Sequence, residues 1–248
     1  MMPHSHLQVQ ACTGYTWLRL NRPECRNALD PALTRALRDQ LAATEPRRPL
    51  ILGSSDPQVF CAGADLTISD AGRAEVSDLV YDCCEILITR PGPVIAVLTG
   101  AAVGGGAQLA AAADLRLASL SARLRWTGPP GLDLVVGAWL LPDLVGRSLA
   151  LDLVLSGRWL SAAEASERGL VHQLTDDPGT AAETLASALS TAPVKQVLDT
   201  AGLLDRLKAE RLANQAAWAR RILLSRLENG RLSRPHHVAI GTVLGELA

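Results

Sequence analysis

Two segments of the 248-residue chain combine residue types that can hold a developing negative charge. One is Phe60-Cys61-Ala62-Gly63-Ala64-Asp65-Leu66. The other is Gly100-Ala101-Ala102-Val103-Gly104-Gly105-Gly106-Ala107-Gln108-Leu109-Ala110. Each sets small residues where a strand should end and the chain turn, so a ligand can approach the backbone closely. Gly104 to Gly106 also lead into an expected helix, whose first amides lack intrahelical partners and carry partial positive charge. Two readings stand on the residues alone: an anion or oxyanion site, or close packing of a helix on a sheet. A phosphate loop is excluded, because no G-x-x-x-x-G-K-[ST] run is present, and the G-x-G-x-x-G spacing of dinucleotide sites is missing too.

Other reactive residue types do not assemble into a set. The five cysteines have neither zinc-like nor redox spacing, and Cys83 and Cys84 are adjacent. His172, His236 and His237 form no metal framework, so no metal is expected. Cys61 reads as packing rather than as a nucleophile. Asp133, within Gly131-Leu132-Asp133-Leu134, reads either as a catalytic base or as a helix cap or surface acid. Asp114, between an expected helix and an expected strand, reads as structural.

The elements that must position these residues follow from periodicity and punctuation. Tyr15 to Leu20 reads as a strand broken by Asn21-Arg22-Pro23. A helix should begin after Asp30-Pro31, with Asp as cap and Pro in the first turn, and with Leu33, Leu37 and Leu41 on its inner face. Leu50 to Gly53 is a short buried strand, Glu75 to Thr89 a helix, and Pro93 to Leu98 a buried strand. The glycine cluster opens a helix through Ala113, and Leu115 to Ala118 returns to strand. Such alternation indicates parallel crossovers. Ser161-Ala162-Ala163-Glu164 is a capping box, with Gly169 as the stop of its helix. Leu203, Leu207, Leu212, Ala216, Ala219 and Leu223 form one stripe of a long helix. The expected division is an α/β core over residues 1–175 and a helical part over 176–248.

Composition narrows the class of function. The net charge is −1, from 24 basic and 25 acidic residues. This argues against a dedicated nucleic-acid surface or polybasic membrane patch, although a local patch can survive the cancellation. No apolar run reaches the roughly 20 residues that span a bilayer, and the first ten residues hold no signal-peptide core. A cytoplasmic protein with reduced cysteines is expected.

Taken in order, the motifs resemble the crotonase (enoyl-CoA hydratase/isomerase) superfamily. The pieces are Leu18 to Pro23, Arg26-Asn27-Ala28-Leu29, Phe60 to Leu66, Pro93 to Ala96, Gly100 to Leu109 with Ala113 to Arg116, Val145 to Ala150, Leu155-Ser156-Gly157 and Ala162 to Val171. The resemblance implies an α/β, ClpP-like fold of repeated β-β-α units with a helical C-terminal part. It implies homotrimers or dimers of trimers, and acyl-CoA thioesters as ligands. Coenzyme A then belongs to the ligand rather than being a resident cofactor. By motif position, the backbone N–H groups of Ala64 and Gly105 form the oxyanion hole, and Arg26, Ala28, Ala62, Asp65 and Leu66 fall along the CoA site. Trp126 and Trp139 border the acyl channel or belong to the core or an interface.

The chain departs from the hydratases of that family at both catalytic glutamates. Gln108 stands at the first and Gly128 at the second. A carboxamide does not accept a proton at neutral pH, and general acid–base groups contribute 10²–10⁴-fold each. Three functions remain in competition. One is acyl-CoA binding without ordinary hydration, as a carrier, sensor or partner of lipid or polyketide enzymes. The second is isomerase, hydratase-like or thioester chemistry with a replacement base such as Asp133. The third is an oligomeric scaffold that no longer binds CoA, against which the intact Ala62-Gly63-Ala64 and Gly104-Gly105-Gly106 segments argue weakly. A family segment that lends a basic residue to CoA has no clear counterpart, although Arg231 or Arg234 can substitute.

Overall fold

The computed structural model describes residues 6–126, 138–190, 205–206 and 208–213. The elements in chain order are β1 (Leu7–Ala11), β2 (Thr16–Leu20), α1 (Pro31–Ala43), β3 (Leu50–Ser54), β4 (Val59–Cys61), α2 (Asp70–Thr89), β5 (Val94–Leu98) and β6 (Ala101–Val103). Then come α3 (Gly105–Ala112), β7 (Leu115–Ala118), β8 (Arg123–Arg125), α4 (Leu141–Val145), α5 (Arg147–Ser156), β9 (Leu160–Ser161), α6 (Ala162–Glu167), β10 (Gln173–Leu174) and α7 (Pro178–Leu189).

Two sheets result. The larger has the order β1-β2-β3-β5-β7-β10 and the smaller β4-β6-β8-β9. The chain between β3 and β8 alternates between them. Of each consecutive strand pair, the first (β3, β5, β7) joins the large sheet and the second (β4, β6, β8) the small one. These are the expected β-β-α units, stacked by parallel pairing of β3 with β5, β5 with β7, β4 with β6 and β6 with β8.

Helices cover the centre of the large sheet on both faces, so its central strands β3 and β5 are buried almost throughout, whereas the edge strand β1 is mostly exposed. All five residues of β5 are buried. In β2, four of the five are buried rather than every second one. Trp17 packs with Ala182 and Ala186 of α7 and donates from Nε1 to Glu183 at 2.8 Å. Thus α7, beyond the expected division at residue 175, lies against the large sheet. Helix α1 starts as expected, with Asp30 Oδ1 accepting from Leu33 N at 2.7 Å and Pro31 in its first turn. Leu33, Leu37 and Leu41 are buried.

Two expectations need correction. Helix α2 begins at Asp70, a turn before Glu75, because Ser69 Oγ caps Gly72 N at 3.2 Å. The poor helix former Gly72 hides that turn from a propensity reading. The capping box at Ser161 is half formed. Ser161 Oγ accepts from Glu164 N at 3.2 Å, but Arg158 takes the Glu164 carboxylate with two bonds of 2.7 and 2.8 Å. The strands of the small sheet, which the periodicity reading does not assign, are two or three residues long and too short to show a period. Of the expected long C-terminal helix, residues 205–206 and 208–213 are described and are helical, and the rest lies outside the described residues. None of the described helices is long and apolar enough to cross a membrane.

Candidate functional site

The first candidate segment leaves β4 and runs beside residues 26–29. Ala62 N donates to Arg26 O (3.0 Å), Leu29 N to Gly63 O (2.7 Å) and Asp65 N to Leu29 O (2.9 Å). Ala64 lies opposite Leu29 in this parallel bridge. Its flanking residues face Leu29 with their polar groups, so the Ala64 N–H points to the other side of the strand. Among the described residues it donates no hydrogen bond.

The second segment leaves β6 and turns at Gly104, where φ is +51° and ψ −117°. Such a combination suits glycine alone. Gly104 N donates to Arg125 O at 2.8 Å. Gly105 then opens α3, and its N–H has no acceptor among the described residues.

Close backbone approach joins the two turns. A Cβ on Gly63, whose φ is +85°, would stand 2.8 Å from Val103 O and 3.8 Å from Gly104 Cα. One on Gly106 would stand 2.6 Å from both Cβ and O of Cys61. The small residues therefore serve packing, and the same packing brings the Ala64 and Gly105 amides to adjoining loop ends. The two readings left open by the sequence are compatible.

Gln108 follows one turn into α3. It is fully buried, and neither Nε2 nor Oε1 has a hydrogen-bond partner. The helix is fixed from its far end by Arg116, which the sequence reading passed over. The Arg116 guanidinium donates to Ala110 O (3.2 Å), Ala111 O (3.2 Å), Ala113 O (2.6 Å) and Leu170 O (2.6 Å). It thereby satisfies carbonyls at the C-terminal end of α3. Burial lowers its pKa to about 10, so it stays cationic at neutral pH.

A second network fixes the first segment. Asn27, fully buried at φ +53°, accepts from Arg22 N at 2.7 Å. It donates from Nδ2 to Ser54 Oγ (2.6 Å) and Phe60 O (3.1 Å). Arg22 Nη1 donates to Ala28 O at 2.7 Å and pairs with Asp30 (3.2 Å) and Asp65 (3.5 Å). The Asp65 carboxylate accepts from Thr67 N (3.0 Å) and Thr67 Oγ1 (2.7 Å). These bonds, with Arg22 beside it, hold its carboxyl below the usual range. Asp65 therefore braces the loop through its side chain. Asn27 and Arg22 were visible only as members of a motif, and their roles depend on left-handed backbone at Arg26 and Asn27.

The remaining candidates divide. Arg26 and Leu66 are exposed and Ala28 and Ala62 half-buried along the paired segments 26–29 and 62–65. Cys61 is buried, its thiol donates to Asn27 O at 3.1 Å, and burial pushes its pKa up to about 12. That suits packing and not nucleophilic attack. Asp114 Oδ2 accepts from Val94 N at 2.8 Å, a structural anchor as expected. Trp126 is fully buried, and Trp139 packs against the same core. Trp159 lies under Arg123, 4.3 Å from ring centre to guanidinium carbon. Gly128, Asp133, Arg231, Arg234, His236 and His237 lie outside the described residues. Among the described residues, no three His, Cys, Asp or Glu side chains gather as for a metal.

The family profile described as Enoyl-CoA hydratase/isomerase matches residues 13–217. The chain belongs to the enoyl-CoA hydratase/isomerase family, within the crotonase superfamily. Among curated family members it is 37% identical over 187 residues to YngF of Bacillus subtilis, covering 70% of this chain and 71% of that protein. It is 33% identical over 210 residues to the 1,2-epoxyphenylacetyl-CoA isomerase of Escherichia coli, covering 76% and 79%. Among solved structures, an enoyl-CoA hydratase from Bacillus anthracis superposes with a TM-score of 0.71 at 27% identity, over 97% of this chain and 90% of that one. In this family member the group one turn beyond Gly105 is a neutral carboxamide.

Proposed function

We propose that this family member binds acyl-CoA thioesters, receives their carbonyl oxygen on the N–H groups of Ala64 and Gly105, and has lost ordinary enoyl-CoA hydration. The observation that carries the reading is the Gly63–Val103 contact, which sets two amides without described acceptors at adjoining loop ends. Fixed donors of this kind act where negative charge develops on a thioester oxygen, and the start of α3 adds its partial positive charge. Loss of hydration is supported by Gln108, whose amide cannot take a proton at neutral pH, and by the glycine at 128. Arg26, Ala28, Ala62, Asp65 and Leu66 would border the coenzyme A portion. Trimeric or hexameric assembly, a cytoplasmic location and service to lipid or polyketide enzymes belong to the same proposal and rest on family kinship.

The test is incubation of the whole protein with 2-enoyl-CoAs of increasing chain length, with mass spectrometry of free and protein-bound ligand. Unchanged ligand retained by the protein is expected, with affinity falling about 10-fold in Ala64→Pro, the loss of one hydrogen bond. A water adduct or shifted double bond, formed well above the buffer rate, would overturn the non-catalytic reading. Asp133 would then be the base to test.

A further inference from the structure

We infer that the small sheet carries a second ligand site, in which Arg123 and Arg125 hold a phosphate group that does not belong to coenzyme A. The two residues alternate on β8, so their side chains leave the same face of the sheet. Leu124 between them points the other way and is fully buried in the core. Strand β8 pairs antiparallel with β9, with Arg123 opposite Ser161 and Leu124 opposite Leu160. Continued by one residue, that register sets Trp159 opposite Arg125. The guanidinium carbons of Arg123 and Arg125 lie 4.3 and 5.8 Å from the centre of the Trp159 ring. Both distances are within reach of a cation–π contact.

An indole that gathers two cations brings like charges together, and no described carboxylate offsets them. The neighbouring Arg158 takes both Asp152 and Glu164, each at 2.7 Å. Neither the Arg123 nor the Arg125 side chain has a hydrogen bond or ion pair among the described residues. Arg125 Nε is buried as well, a donor without an acceptor. Such an orphan is costly and calls for a reason. Stacking uses the flat face of a guanidinium and leaves the N–H groups free around its edge. The ring therefore holds two forks in place with their donors unspent.

Charge and donor number select the ligand. A carboxylate matches one guanidinium fork and carries one charge. A phosphate group carries about −1.5 to −2 near neutral pH and offers three acceptor oxygens. It serves two forks at once and offsets both charges. The place on the sheet separates this group from coenzyme A. The segment Ala62 to Leu66 leaves β4, and in the order β4-β6-β8-β9 the arginines stand two strands away. At the usual strand spacing that is about 10 Å.

Isothermal titration of the whole protein with inorganic phosphate, in a buffer free of other oxyanions, tests this. Saturable, stoichiometric binding is expected. Affinity should fall at least about 10-fold in Arg123→Ser and in Arg125→Ser, the loss of a charge-assisted bond. It should be unchanged in Arg47→Ser, which removes an exposed arginine of the α1–β3 loop. Tryptophan emission should shift as phosphate binds the wild type and not Trp159→Phe, whose ring still offers the cations a face. Saturating free coenzyme A should leave phosphate affinity as it was. Absence of saturable binding, equal affinity in the wild type and both β8 variants, an equal loss in Arg47→Ser, or displacement of phosphate by coenzyme A would each overturn the inference.

Discussion

Replacing Gly63 or Gly104 by alanine separates two reasons why glycine is needed at the paired turns. Both residues have positive φ, +85° and +51°. An alanine at either position takes a backbone conformation that is disfavoured by about 1–3 kcal/mol. Their surroundings differ. A Cβ on Gly104 meets nothing within 4 Å, whereas one on Gly63 meets the backbone oxygen of Val103 at 2.8 Å. Backbone in a parallel β4–β6 pair has no flexible end to move aside. Gly104→Ala should therefore show the conformational penalty alone, and Gly63→Ala that penalty plus separation of the two loops. Taking about 2 kcal/mol for the first and at least 3 kcal/mol for the second, with about 2–4 °C per kcal/mol for a chain of this size, the melting temperature should fall by about 4–8 °C and about 6–12 °C. Thermal denaturation by circular dichroism measures both. Butyryl-CoA titration should show the larger loss of affinity in Gly63→Ala, because its clash lies between the two amides. A Gly63→Ala variant as stable as Gly104→Ala would refute the close approach on which the site is built.

Three further outcomes follow from the networks around the site. Arg116→Met should lower the melting temperature by at least about 6 °C, since five carbonyls lose a charged donor and each such bond contributes about 1.5–3 kcal/mol; an unchanged melt would contradict its role in fixing α3. Asp65 is held below the usual carboxylate pKa by Thr67 first and Arg22 last. Because the folded-state pKa lies below the unfolded one, this stabilisation is complete at neutral pH and is lost as pH falls through the carboxylate range. Asp65→Asn should be less stable at pH 7 and flatter in stability below about pH 4, read by urea unfolding across pH, and identical profiles would dismiss the brace. Thiol titration of the native protein should modify the exposed Cys25 first and reach Cys61, Cys83 and Cys84 only on unfolding, since burial raises all three; rapid native-state labelling of Cys61 would contradict its packing role.

What the sequence determined by itself was local and compositional. Asp30-Pro31 specifies the start of α1 because capping and the fixed φ of proline act within four residues. The apolar runs Leu50 to Leu52 and Val94 to Leu98 specify buried parallel strands, since only a sheet covered on both faces hides every side chain. The order of small-residue motifs was enough to point to the family. Tertiary structure decided the rest. The strands of the small sheet are too short to announce themselves, and they exist because each pairs with the next β-β-α unit. Gly63 and Gly106 acquire their meaning from Val103 and Cys61, some 40 residues away in sequence. Asn27 and Arg116 look unremarkable in a row of letters. They matter because folding surrounds one with donors and acceptors from three segments and the other with the carbonyls that end α3. The orphaned amide of Gln108 is of the same kind. Its identity is legible in the sequence, but burial without a partner is a property of the packed interior alone.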